Sequence, residues 1–94
     1  MPAVFVDDDQ GYETWLARNS GGYVVNAYRH PTASYLLLHR SSCRTISGEP
    51  ARGKTWTTGQ YLKVCASSIA ELARWARLET GGALQPCGIC HPPV

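Results

Sequence analysis

Apolar and polar positions follow two different periods along this chain. Tyr12, Trp15 and Leu16 recur at i, i+3 and i+4 among polar neighbours, which predicts a helix over residues 8–19. An aspartate at 7–9 can cap its free N–H groups, and Asn19-Ser20-Gly21-Gly22 closes it with residues that tolerate a left-handed backbone. The period then drops to two. Tyr23–Tyr28 and Ser34–His39 are β-rich runs separated by Arg29-His30-Pro31-Thr32-Ala33, the spacing of an antiparallel hairpin with a longer loop. In the second run Tyr35, Leu37 and His39 share one face, and Leu36 and Leu38 the other. Thr55–Thr58 and Gln60–Cys65 are further predicted strands broken by Gly59, and Ser47–Gly53 reads as exposed loop. Ser68-Ile69-Ala70-Glu71 is a capping box. The helix it opens places Ile69, Leu72, Ala73 and Ala76 on one face, with Trp75 at the margin, and stops at Gly81-Gly82. This order predicts an α+β fold, a small antiparallel sheet with two helices against it.

Composition narrows the class. The 94 residues suffice for a single domain, 1–94, with a core small enough that a metal or disulfide staple would be a natural supplement. A hydrophobic fraction of 44% with 10% aromatics points to a folded globule. No apolar run approaches the ~20 residues of a membrane span. The N-terminus lacks a basic region and runs at once into Asp7, Asp8 and Asp9, unlike a signal peptide. The expected location is therefore cytoplasmic, with the four cysteines as thiols or metal thiolates rather than disulfides. The aspartate triplet invites a metal-site reading, but helix capping explains it more economically.

The cysteines carry the most specific signal. Cys87-Gly88-Ile89-Cys90 is a C-x-x-C pair between Pro86 and Pro92. A redox dithiol would need a helix starting at its first cysteine to stabilise the thiolate, and Pro92 and Pro93 disfavour one. A zinc knuckle fits better, because two cysteines two residues apart can bind one ion from a tight turn. Two further ligands are then needed. His39-Arg40-Ser41-Ser42-Cys43 offers an H-x-x-x-C pair where a strand ends; Cys65, His30 and His91 are the other candidates. Cys65 lies in a strand pattern, where a thiol usually serves as a small buried hydrophobe. A Cys43/Cys65/Cys87/Cys90 site is the competing set.

The pattern Leu38-His39-Arg40-x-x-Cys43, a helix, then Pro86-Cys87-x-x-Cys90-x-Pro92 resembles the Ada-type zinc-binding module over residues 38–92. That module occurs in bacterial methylphosphotriester-repair proteins and as a tail on some secreted nucleases. The resemblance implies Zn(2+) held by His39, Cys43, Cys87 and Cys90. It departs from the repair proteins where their nucleophilic cysteine matches His39, so methyl transfer to a thiolate at that position is not expected. The chain as a whole is also similar to small actinobacterial modules that stand alone or precede restriction-type nuclease domains.

Charge distribution bears on the partner. Residues 1–20 carry Asp7, Asp8, Asp9 and Glu13 against Arg18, a net of −3. Residues 39–63 carry Arg40, Arg44, Arg52, Lys54 and Lys63 against Glu49, a net of +4. Those five basic residues are the candidate nucleic-acid contacts, positioning phosphates, while Tyr61 or Trp56 could stack on a splayed base. There is no G-x-S-x-G, phosphate-cradling glycine loop or H-E-x-x-H, so catalysis is not expected. The expected function is a non-catalytic, zinc-containing DNA-recognition module serving a restriction or repair protein, through DNA or a fused nuclease domain. The alternative is a zinc-stabilised protein-interaction module.

Overall fold

The computed structural model describes residues 2–47 and 56–93. Their elements are β1 (Ala3–Phe5), α1 (Asp9–Arg18), β2 (Tyr23–Tyr28), β3 (Leu36–Arg40), β4 (Tyr61–Ala66), α2 (Ile69–Thr80) and β5 (Gln85–Pro86). The five strands form one sheet in the order β1-β4-β2-β3-β5. The β2–β3 hairpin is antiparallel as expected, and β4 returns along the other side of β2, also antiparallel. The expected antiparallel sheet is in fact mixed, because β5 runs parallel to β3, pairing Gln85 with Leu37 and Pro86 with Leu38. The connection through α2 carries the chain across the sheet and returns it in the same direction as β3.

Both faces of the sheet are covered. On one, Val25, Ala27, Leu36, Leu38, Leu62 and Val64 pack with Leu72 and Ala76 of α2. On the other, Val24, Cys43, Cys65 and Cys87 pack with Tyr12 of α1, flanked by Phe5, Trp15, Leu16 and Trp56. The predicted faces of both helices are therefore the ones that turn inward. Full burial of a side chain such as Leu72 contributes about 1.5–3 kcal/mol. Ser68 caps α2 by accepting from the Glu71 amide at 3.3 Å, and Gly81 ends it at φ 74°, the left-handed conformation glycine adopts without strain. The α1 terminus works differently. Asn19 stays at φ −134° and its side-chain amide donates to the Trp15 carbonyl at 2.8 Å. Gly22 is needed for space instead, since a Cβ there would lie 2.7 Å from the Trp15 ring.

Each aspartate of the triplet has a structural partner. Asp8 is the N-cap of α1 and accepts from the Gly11 amide at 2.9 Å. Asp7 pairs with Arg29. Asp9 accepts from the amides of Trp56 and Thr57 at 2.8 and 2.7 Å and from the Thr57 hydroxyl at 2.6 Å. The last set corrects the strand expected over Thr55–Thr58 at its described residues: 56–58 form bends, because the Trp56 and Thr57 amides bond to this carboxylate instead of a neighbouring strand. Thr55 and the expected loop beyond Ser47 lie outside the described residues. No helix among the described residues is long and apolar enough to cross a membrane.

Candidate metal centre

The short parallel pairing of β5 positions the site. It delivers Cys87 alongside β3, where the Cys87 amide donates to the Leu38 carbonyl at 2.9 Å. The chain then turns, with the His91 amide bonding the Cys87 carbonyl at 3.1 Å, so that Cys90 comes back beneath the end of β3. On the β3 side, His39 is the last inward-facing residue of the strand. The turn after it closes through the Cys43 amide on the Arg40 carbonyl at 3.0 Å, and the Ser47 hydroxyl on the Cys43 carbonyl at 2.7 Å. His39, Cys43, Cys87 and Cys90 thereby converge, one ligand atom from each lying within 4.8 Å of the others. His39, Cys43 and Cys87 are buried and Cys90 is partly so.

The electrostatics suit a cation. Among the described residues, His39 Nε2 is the buried side-chain nitrogen or oxygen left without a hydrogen-bond partner. Such an orphan costs about 1–3 kcal/mol unless something binds it. Burial, reinforced by the charge of Lys63, drops the His39 pKa to about 4, so the ring is neutral and its lone pair free at physiological pH. Its Nδ1 lies 3.5 Å from the Thr45 hydroxyl, which is itself 3.0 Å from Cys43 Sγ. With Nδ1 protonated, Thr45 can accept from the imidazole and donate to a Cys43 thiolate, satisfying both with one hydroxyl. Amide donors also point at sulfur: Ile89 to Cys87 Sγ at 3.3 Å and Arg40 to Cys90 Sγ at 3.2 Å. Burial opposes ionisation of Cys87, but the amides of Cys90 and Ile89 outweigh it and hold its thiol below the ordinary range. Cys90 is pushed up to about 11 by burial and by the neighbouring Cys43 and Cys87. Crowded thiols resist losing several protons together, and a bound dication removes that resistance.

The other predicted residues are placed less uniformly. Cys65 lies in β4 opposite Val24, outside the four-residue group, with its thiol pushed up to about 12 by burial. His30 and His91 are exposed and also outside the group. Lys63 is corrected as a phosphate contact. It is 4% exposed, and its ammonium donates inward to Asn26 Oδ1 at 2.9 Å and to the Trp56 carbonyl at 2.7 Å. A central strand under a covered face leaves a lysine no route to solvent. Arg40 is exposed but tied down, donating from Nε to the Cys90 carbonyl at 2.9 Å and from Nη2 to the His91 carbonyl at 3.0 Å. It straps the C-terminal turn to β3. Arg44 is exposed on the ligand turn. Arg52 and Lys54 lie outside the described residues.

Thr45 was not legible as part of the site. The available signal was its position two residues after a candidate ligand, where hydroxyls readily bond back locally. Comparison with protein-family models, with curated proteins and with solved structures found no match to this chain.

Proposed function

We propose that this is a non-catalytic nucleic-acid-binding domain, with DNA as the expected ligand, whose C-terminal turn is clamped to the sheet by one zinc ion. His39, Cys43, Cys87 and Cys90 are the ligands. The observation that carries the metal reading is the convergence of three thiols on the orphaned Nε2 of a buried imidazole. Soft thiolates with one imidazole are a donor set that suits zinc. Four protein ligands leave the ion no open position for water, so its role is structural. The clamp has a clear purpose: β5 is only two residues long, too little pairing to fix the tail alone.

Nucleic-acid binding is supported by the basic run of the sequence that begins at this clamp. Arg44 is exposed on the ligand turn, and Arg52 and Lys54 follow in sequence. Titrating binding to duplex and single-stranded DNA against salt tests the reading. Affinity should fall steeply with salt, because phosphate contacts release counterions. Absence of binding at low salt would reject it. The second reading, a protein-interaction module, is favoured by one feature: Leu78, 70% exposed on α2, beside the groove formed with Trp75 and Pro2.

A further inference from the structure

We propose that the clamp is a redox-sensitive latch: a peroxide oxidises Cys90, a Cys87–Cys90 disulfide forms, and the C-terminal turn comes free of β3. This rests on the zinc reading and adds the regulation of that site. The three cysteines do not stand equally open. Cys43 and Cys87 are 3% and 4% exposed, whereas Cys90 is only partly buried, in a turn whose Gly88, Ile89 and His91 are exposed. Bound zinc holds its cysteines as thiolates, the form that reacts with peroxide. Cys90 is therefore the ligand that an oxidant arriving from solvent meets first.

Cys87 is the resolving partner. It shares one turn with Cys90, closed by the His91 amide on the Cys87 carbonyl at 3.1 Å. A turn keeps the Cα atoms of residues three apart within ~7 Å, the limit of what a disulfide bridges. Cys43 is also near, its Sγ 4.0 Å from that of Cys87, but it belongs to another turn and its sulfur is engaged by the Thr45 hydroxyl at 3.0 Å. Once one ligand is oxidised, the link between the two turns weakens, while the Cys87–Cys90 spacing persists in the local backbone. The chemistry balances with peroxide as the two-electron oxidant. Cys90 Sγ attacks one peroxide oxygen, the O–O bond breaks and hydroxide leaves, giving a sulfenic acid. Cys87 Sγ then displaces the second hydroxide as the S–S bond forms, and two protons from solvent convert both hydroxides to water. The ion, left with His39 and Cys43, dissociates. A disulfide within the turn does not cross to β3. What still ties the tail there is a two-residue strand, the Cys87 amide on the Leu38 carbonyl and the two Arg40 side-chain bonds. One of the two strand residues is Pro86, which has no N–H to donate.

The experiment treats the full chain, purified under reducing conditions with its zinc, with stoichiometric hydrogen peroxide. Released zinc is read with a chromogenic chelator, disulfide connectivity by peptide mass mapping, and loosening of the tail by amide hydrogen exchange. Zinc should leave in step with formation of the Cys87–Cys90 link, and exchange should rise over residues 85–91 while β2 and β4 stay protected. A thiol reductant with added zinc should reverse all three changes. Cys65→Ser should respond in the same way, since Cys65 lies outside the ligand group. Zinc retained under excess peroxide, a disulfide to Cys43, or release accompanied only by irreversible sulfinic or sulfonic acids overturns the latch and leaves the zinc site standing. Exchange rising equally throughout the chain does the same. Protein that purifies without zinc overturns both.

Discussion

Asp9→Asn isolates the connection that ties the acidic N-terminal segment to the strand-entry loop. The Asp9 carboxylate takes three hydrogen bonds, from the Trp56 amide, the Thr57 amide and the Thr57 hydroxyl, and Thr57 is fully buried. Asparagine keeps one oxygen and turns an NH2 toward a backbone N–H, so one donor loses its acceptor and the rest lose their charge assistance. Bonds to charged groups are worth about 1.5–3 kcal/mol each, and a stranded donor costs ~1–3 kcal/mol. Because Asp9 is only partly buried, water recovers some of this, and we expect a loss of about 2 kcal/mol. For a domain of this size that lowers Tm by ~8–16 °C. The matched control is Asp8→Asn, expected to be nearly silent because asparagine caps a helix as well as aspartate does. Thermal melts followed by circular dichroism, with zinc content measured in parallel, make the comparison. Burial alone would raise the Asp9 pKa, but its bonds to Thr57 and Trp56 outweigh that and lower it. The ionised form is therefore the stabilising one. Its contribution is complete above the unfolded value of ~3.9 and is lost as pH falls through the lower folded value. Asp9→Asn should flatten that acid limb. Equal melts for the two variants would refute the argument.

The remaining predictions concern the clamp. Cys43→Ser and Cys87→Ser should each abolish stoichiometric zinc binding, whereas Cys65→Ser should lower stability and leave the metal, read by metal analysis of purified protein. Arg40→Ala should speed zinc release to a chelator severalfold, because two side-chain bonds to the Cys90 and His91 carbonyls are lost; release at the native rate would contradict the strap. In metal-free protein His39 has its pKa lowered from 6.5 to about 4, so the folded state favours the neutral ring. Stability should then fall as pH drops from 6.5 toward 4, and His39→Gln should remove that slope in denaturant titrations.

Local signals in this sequence proved legible and most nonlocal ones did not, the exception being the convergence of His39 and Cys43 with Cys87 and Cys90, which the resemblance implied. The Ser68 capping box, the inward faces of both helices and the alternation across Leu36–His39 all appear in the structure, because each depends on residues a few positions apart. The C-x-x-C pair was legible for the same reason. Strand β1 was not read, since Ala3–Phe5 is too short to show a period and is held by β4, some sixty positions later in the chain. Trp56 and Thr57 have strand-forming side chains, but a carboxylate from α1 claims their amides. Lys63 looked like surface charge because nothing nearby in sequence shows that β4 becomes a central strand covered on both faces. The packing of Tyr61 on Tyr28 and Tyr35 was invisible until register brought three strands together, although Tyr61 by itself was a recognisable candidate for base stacking.

The central claim is that one zinc ion is held by His39, Cys43, Cys87 and Cys90. X-ray absorption at the zinc edge of the purified protein tests it most directly, because sulfur and nitrogen scatter at different distances. The account predicts three sulfur ligands at ~2.3 Å and one nitrogen at ~2.0 Å, with no water oxygen. A shell of four sulfurs, which would require Cys65 in place of His39, would contradict it, as would any oxygen ligand.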